Sequence, residues 1–149
     1  MDGRSKPPSL RVMKIQRAES PAILAGHDAA RDFFSTCFAG PDARSGEMLW
    51  VAHVDDHGRC LHLGRYADGD EGAVDLPVRK IIADAARLGS AGLLLAHNHP
   101  SGDPRPSAAD CQATRSLACA AEAIDLTVVD HLVFAERGQC HSFRRMGLL

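Results

Sequence analysis

The sequence predicts a single α/β domain built on one mixed β-sheet with helices on its faces. Short apolar runs, typical of buried strands, alternate along the chain with segments whose apolar residues recur at helical spacing. The length of 149 residues, with 45% hydrophobic and 24% charged residues, fits one globular domain. We therefore expect a domain over residues 21–149. Residues 1–20 are expected to form a flexible tail, because their prolines and scattered charges show no period.

Four predicted elements occupy the first part of the chain. A helix is expected where apolar residues recur at helical spacing, and Gly40 and Pro41 then end it. A largely apolar run predicts a buried strand, which a short turn joins to its hairpin partner. Pro77 can open the second helix, and Gly89 caps it. The predicted elements are a helix over 28–38, strands over 47–54 and 59–65, and a helix over 77–88, with loops over 42–46 and 67–72.

The second part of the chain places a short apolar strand directly in front of a proline-rich loop. The run over 92–96 fits a central strand and ends abruptly in His97-Asn98-His99-Pro100. Residues 100–106 contain three prolines, so a loop is expected there. A helix over 108–123, a strand over 126–134 interrupted at Asp130 and His131, and a weak strand over 139–143 complete the prediction.

Composition and charge exclude several classes of protein. Lys and Arg number 17 against 19 Asp and Glu, and this net charge of −2 argues against a dedicated nucleic-acid binder. No apolar run is long enough to span a membrane, and residues 1–17 lack the apolar stretch of a signal peptide, so a cytoplasmic location is expected. The five cysteines form no C-x-x-C pair, which argues against disulfide scaffolds and zinc ribbons.

Two of the eight histidines point to a metal site. His97 and His99 are two residues apart at a strand end, so both imidazoles can converge on one point. Asp110 follows in the first turn of the next predicted helix. Two imidazoles and one carboxylate form a typical three-ligand zinc set with the fourth position left for water. Glu47, at the start of a predicted core strand, is the candidate general base.

These residues resemble a known family. The spacing from His97 through His99 and Ser107 to Asp110 matches the H-x-H-x7-S-x2-D signature of the JAMM (MPN+/JAB) metalloproteases. Segments 96–107 and 128–133 resemble its RadC branch, and the resemblance spans residues 22–143. It implies a cytidine-deaminase-like α/β fold and one Zn²⁺ per chain on the two histidines and the aspartate. It also implies that Glu47 acts as base and then acid, that Ser107 donates to the oxyanion, and that a peptide or isopeptide bond is hydrolysed.

The chain departs from the family pattern in three respects. Full-length RadC proteins carry a helix-hairpin-helix domain ahead of the resembling region, whereas residues 1–20 of this sequence are expected to form only a short tail. The family's His-Pro-Arg-Glu segment stands here as Leu76-Pro77-Val78-Arg79, which affects contacts with substrate more than metal binding. The long inserted loops of the ubiquitin-cleaving relatives are also missing, so ubiquitin is not an expected substrate.

A second function remains open at this point, namely a non-catalytic binding or accessory module of the RadC type, associated with DNA repair or recombination. The presence of Glu47, His97 and Asp110 favours the enzyme. The expected partner is a peptide or protein substrate, with no membrane and no tight direct contact with nucleic acid. An HNH nuclease is disfavoured because the three residues of that motif are dispersed rather than contiguous. A cytidine deaminase requires His-x-Glu and Pro-Cys-x-x-Cys, and both are absent.

Simpler structural roles compete with the functional ones. Ser107 and Asp110 also fit a helix capping box, and we expect Asp110 not to cap fully while it binds zinc. His131 is expected either to support a metal ligand or to fill the core. His53, His57 and His62 could form a second metal cluster, but surface or packing roles are favoured. Asp103 is expected to form a turn, and Cys111 to lie in the core.

Overall fold

The computed structural model describes residues 21–69 and 76–149. The predicted tail over 1–20 and part of the predicted loop over 67–72 lie outside these residues. The elements are α1 His27–Ser35 with a 3₁₀ turn Thr36–Phe38, α2 Asp42–Ser45, β1 Glu47–Val54, β2 Cys60–Gly69, α3 Val78–Leu88, β3 Gly92–Asn98, α4 Ala108–Glu122, β4 Thr127–Phe134 with a 3₁₀ turn Glu136–Gly138, and β5 Cys140–Ser142.

The five strands form one mixed sheet in the order β2-β1-β3-β4-β5. Only β3 and β4 are parallel, and α4 provides the crossover between them. Helix α1 covers one face of the sheet, and α3 and α4 cover the other. The predicted α/β domain with a mixed sheet flanked by helices is therefore confirmed.

Strand β3 lies at the centre of the sheet and supplies both hydrophobic cores. Its side chains alternate between the two faces, as a strand's period of two requires. Leu94 and Ala96 pack in the cluster beneath α1, whereas Leu93 and Leu95 pack in the cluster beneath α3 and α4. All seven residues of β3 are buried, which confirms the prediction of a central strand over this apolar run.

The predicted loop over 42–46 contains a single helical turn, α2. Four polar or small residues carry too little periodicity to predict a helix, but Pro41 has a helical φ of −65° and starts the turn. The turn is stabilised from a distance, because the Asn98 side-chain amide donates to the carbonyl oxygens of Ala43 at 2.7 Å and Gly46 at 3.1 Å. These bonds satisfy carbonyls that a helix end otherwise leaves unpaired.

Two strands also differ from their predicted extents. Strand β2 continues through residues 67–69, predicted as loop, because the first residues of β1 pair with them. Strand β4 is not interrupted at Asp130 and His131. Instead its register shifts by one residue there, since Leu93 pairs with Val128 and Leu94 pairs with Asp130. The extra residue forms a bulge, which the sequence pattern shows only as a break in periodicity.

In the part of the chain that the structure describes, no helix has both the length and the apolar character needed to cross a membrane.

Candidate metal centre

Three predicted ligands meet at the carboxyl end of β3. His97 belongs to the strand and points to the side of α3 and α4, His99 follows the strand, and Asp110 lies in the first turn of α4. The Nε2 atoms of the two histidines are 2.9 Å apart. The Asp110 Oδ2 atom lies 3.4 Å from Nε2 of His97 and 3.2 Å from that of His99. Among the described residues, these three form the group that could hold a metal ion.

A chain of buried hydrogen bonds fixes the proton of His97. The Thr114 hydroxyl donates to the Asp110 carbonyl oxygen at 2.7 Å and can therefore accept from Nδ1 of His131 at 2.8 Å. Burial lowers the pKa of His131 well below 6.5, so this imidazole is neutral and its Nε2 accepts. Nδ1 of His97, 2.7 Å away, must then be the donor. A neutral His97 consequently presents the lone pair of Nε2 to Asp110.

His99 is oriented in the same sense by the loop that follows β3. Its Nδ1 donates to the backbone carbonyl of Asp103 at 2.8 Å, which leaves the lone pair of Nε2 directed at the other two ligands. Asp103 in turn forms the predicted turn, since its carboxylate accepts from the Arg105 backbone N–H at 3.0 Å and from the Arg105 guanidinium. The proline-rich loop therefore fixes the tautomer of the second histidine.

Three acceptors that face one another form a group that could hold a cation. A proton on Nε2 of His99 would form a hydrogen bond with Asp110. That neighbouring carboxylate raises the pKa of His99. A divalent ion would satisfy all three. Ligand atoms about 2.0–2.1 Å from a tetrahedral zinc ion lie roughly 3.3 Å apart. The distances to Asp110, 3.2 and 3.4 Å, are close to this spacing, and the 2.9 Å between the two Nε2 atoms is a few tenths of an ångström shorter. The residues present therefore fit a metal ion.

The electrostatic environment keeps Asp110 ionised. Burial opposes ionisation, but the adjacent imidazoles of His97 and His99 outweigh it and hold the pKa of Asp110 well below its usual range. The same Oδ2 atom accepts from the Ser107 backbone N–H at 2.8 Å, and Ser107 Oγ accepts from the Asp110 N–H at 3.0 Å. The capping box is thus complete while Oδ2 faces both histidines. Helix capping and metal binding by Asp110 were expected to compete, but in this geometry both use Oδ2.

Glu47 stands beside the three ligands at the first position of β1. Its Oε1 lies 4.0 Å from Nε2 of His99, and the side chain is buried. Burial raises the pKa of the Glu47 carboxyl, and the imidazoles of His97 and His99 offset only part of that rise. Its Oε2 is buried, and no group in the described parts of the chain hydrogen-bonds to it. The structure therefore brings a carboxyl with an unused oxygen to the metal group.

Asn98 is a structural element of the site that the sequence reasoning missed. It is 5% exposed and points to the opposite face from His97. Its Oδ1 accepts from the Met48 backbone N–H at 2.7 Å, and its Nδ2 donates to two carbonyls of the α2 turn. Asn98 thereby joins the end of β3 to the start of β1, next to Glu47. Its position in the sequence between His97 and His99 is the signal that could have identified it.

Two further histidines, His131 and His53, are buried and have defined hydrogen-bond contacts. His131 supports a candidate metal ligand and also fills the core, the two roles that the sequence left open. It hydrogen-bonds to His97 and stacks on Phe143 with ring centroids 4.5 Å apart. His53 is buried, within hydrogen-bond distance of Ser90 at 3.0 Å and Tyr66 at 2.8 Å.

The structure does not support the second metal cluster. His57 lies in an exposed turn, and in the described ranges His53, His57 and His62 form no group that could hold a metal. Cys111, expected in the core, is only half-buried.

Comparison with known proteins agrees with the geometry. The RadC-like JAB domain matches residues 25–148. A UPF0758 protein of Bordetella avium is 38% identical over 103 residues, which are 69% of this chain and 45% of that protein. A UPF0758 protein of Pelodictyon phaeoclathratiforme is 34% identical over 121 residues, which are 81% of this chain and 54% of that protein. The chain thus spans about half the length of these curated relatives. With most of its length matched by the domain, and with the mixed sheet and the His97, His99 and Asp110 group in place, the chain belongs to the RadC-like JAB domain family.

Proposed function

We propose that this domain is a zinc-dependent metallohydrolase that cleaves a peptide or isopeptide bond. The observation that carries the proposal is the convergence of three acceptor atoms, two of which belong to histidines whose proton lies on the other ring nitrogen. Nδ1 of both histidines is committed to another acceptor, so both Nε2 lone pairs and the Asp110 carboxylate face one point. Two imidazole nitrogens and one carboxylate are ligands that zinc favours. A bound ion of this kind lowers the pKa of a coordinated water and polarises a carbonyl group.

Glu47 is the proposed general base and then acid. Its raised pKa makes the carboxylate a better proton acceptor than an exposed glutamate at neutral pH. Its Oε1 lies 4.0 Å from Nε2 of His99, so the carboxylate is placed to take a proton from a water held beside the ligands. The same carboxylate can return that proton to the leaving amine. Because β1 pairs with β3 directly beside His97, the sheet itself holds the base close to the ligands.

Ser107 is the proposed donor to the oxyanion. Its Oγ already accepts from the Asp110 backbone N–H, so its own hydroxyl proton is free for another acceptor. The capping box fixes the hydroxyl at the N-terminus of α4, next to the ligand Asp110. Removing one such donor costs about 10²–10³ in kcat in enzymes that depend on it.

Metal content and hydrolysis, measured on the same preparations, test this proposal. The protein is purified without an affinity tag and analysed for zinc, with His99→Ala and Glu47→Gln beside the wild type. We expect about one zinc per chain in the wild type and in Glu47→Gln, and a loss in His99→Ala. Each preparation is then incubated with a peptide library and with peptides linked through a lysine side chain. Glu47→Gln should lose hydrolysis, while the exposed control Glu122→Gln should retain it.

The outcomes separate the enzyme from its alternative. Zinc without hydrolysis of either substrate class would favour a metal-containing binding module. Hydrolysis that persists in Glu47→Gln would refute the assignment of the base. Full zinc content in His99→Ala would refute the ligand set.

A further inference from the structure

A cavity of about 560 Å³ opens beside the metal group, on the face of the sheet that α1 covers. It lies between the segment that joins α1 to β1 and the turn that follows β4, at the carboxyl ends of the parallel strands. His99 lines it, so one candidate metal ligand is also part of the cavity wall. Its volume is within the range of sites that hold small ligands or a few residues of a peptide.

The floor of this cavity is aromatic and its rim is charged. Phe38 and Phe134 lie with ring centroids 5.0 Å apart. Arg44 and Glu136 are exposed at the rim. Among the side chains that the structure describes, no carboxylate lies within 4.0 Å of the Arg44 guanidinium, whereas Arg31, Arg59, Arg87 and Arg105 each have such a partner. A guanidinium without a described carboxylate partner, at the rim of a cavity with an apolar floor, suits a ligand that carries both a carboxylate and an apolar side chain.

The wall that carries Arg44 is tied to the metal group. Asn98 donates to the carbonyl oxygens of Ala43 and Gly46, on either side of Arg44, and accepts from the Met48 N–H. The two neighbours of Asn98 in sequence are the candidate ligand histidines. The distance from the metal group to the guanidinium-bearing turn is therefore set by one buried side chain rather than by a free loop.

We infer that this cavity binds a segment of the substrate peptide, with an apolar side chain on the two phenylalanine rings and a carboxylate on Arg44. The inference rests on the proposed function and specifies its substrate class as a peptide with an apolar residue next to a carboxylate. That carboxylate is either the chain terminus or an acidic side chain. Glu136 repels it, so Arg44 supplies the attraction.

Binding to the metal-free protein tests the cavity independently of catalysis. The full chain is treated with a chelator and titrated with acetyl-Ala-Ala-Phe by calorimetry. Acetyl-Ala-Ala-Phe-amide removes the terminal carboxylate, and acetyl-Ala-Phe-Asp-amide supplies a side-chain one. We expect Arg44→Gln to weaken binding of the carboxylate peptides about tenfold, as loss of a charge-assisted hydrogen bond does. Arg115→Gln, at an exposed position of α4, removes the same charge away from the cavity and should change nothing, and Glu136→Gln should not weaken binding.

Each outcome decides a separate point. Preference for the free acid over both amides identifies the terminus as the carboxylate, and preference for the aspartate peptide identifies a side chain. No binding by any peptide, or equal affinities of Arg44→Gln and Arg115→Gln, would overturn the inference. If binding follows Arg44 but the zinc-loaded protein cleaves nothing, the proposed function fails and the cavity stands. If it cleaves peptides and Arg44→Gln leaves KM unchanged, the cavity assignment fails and the proposed function stands.

Discussion

Replacing Thr114 by valine tests whether a single hydroxyl controls the protonation of the metal group. Thr114 is 1% exposed, and its hydroxyl is the acceptor for Nδ1 of His131. Valine has nearly the same shape, so packing is preserved and only the hydrogen bonds are lost. Without that acceptor, the proton of His131 has no partner on Nδ1.

The structure allows two responses, and both are unfavourable. If the proton stays on Nδ1, a buried donor is unpaired, at a cost of about 1–3 kcal/mol in the free energy of unfolding. If it moves to Nε2, it faces the Nδ1–H of His97 across 2.7 Å. His97 must then move its own proton to Nε2, the atom directed at the metal. Loss of a group that orients a metal ligand through hydrogen bonds typically weakens metal affinity 10–100-fold, or about 1.4–2.7 kcal/mol.

Competition with a chromophoric chelator measures the zinc affinity, and urea unfolding of the metal-free protein measures stability. Thr114→Ser retains a hydroxyl and serves as the control, with an affinity close to that of the wild type. Wild-type affinity and stability in Thr114→Val would refute the proton arrangement, because the hydroxyl would then have no influence on His97.

Three further predictions concern stability measured by denaturant unfolding. Asn98→Ala removes three hydrogen bonds, two of them buried, and should cost at least about 2 kcal/mol, and a smaller cost would mean that water replaces the amide. Gly92→Ala should cost about 1–3 kcal/mol because its Cβ would lie 2.9 and 3.0 Å from two valine methyl groups, whereas Gly40→Ala meets nothing within 4 Å and is the control. Burial lowers the pKa of His53 from 6.5 to about 4, so the unfolded chain takes up a proton first as pH falls. Stability should therefore decrease between about pH 6.5 and about pH 4, by up to about 3 kcal/mol, and decrease less in His53→Gln. Identical pH profiles of wild type and variant would exclude His53 as the cause.

Local patterns predicted the central parts of the fold, and tertiary contacts decided the rest. The apolar run of β3 needs no information from elsewhere to be recognised as a buried strand. The α2 turn, by contrast, depends on an amide more than fifty residues away. The last residues of β2 are strand because β1 offers them backbone partners, and no pattern in residues 67–69 contains that information.

Some residues of the candidate site could likewise be predicted from local spacing, and others could not. The spacing of His97 and His99 predicts that both imidazoles converge, and the structure places Asp110 and Glu47 beside them. Thr114 was not identified, because its role depends on the crossover that brings α4 over β4 and places its hydroxyl beside His131. A threonine in the middle of a helix carries no signal of its own until that packing is known.

The alternation of side chains along β3 makes the length of that strand as restrictive as its composition. His97 faces α3 and α4, and Asn98 faces α2, because the count of residues from Gly92 places them there. Deleting any one residue between Gly92 and His97 while the strand stays paired would invert every later side chain. The amide would then replace an imidazole at the metal group, and the imidazole would face the carbonyls of α2. The strand can therefore accept exchanges of apolar side chains, but an insertion or deletion of one residue should abolish the proposed metal binding.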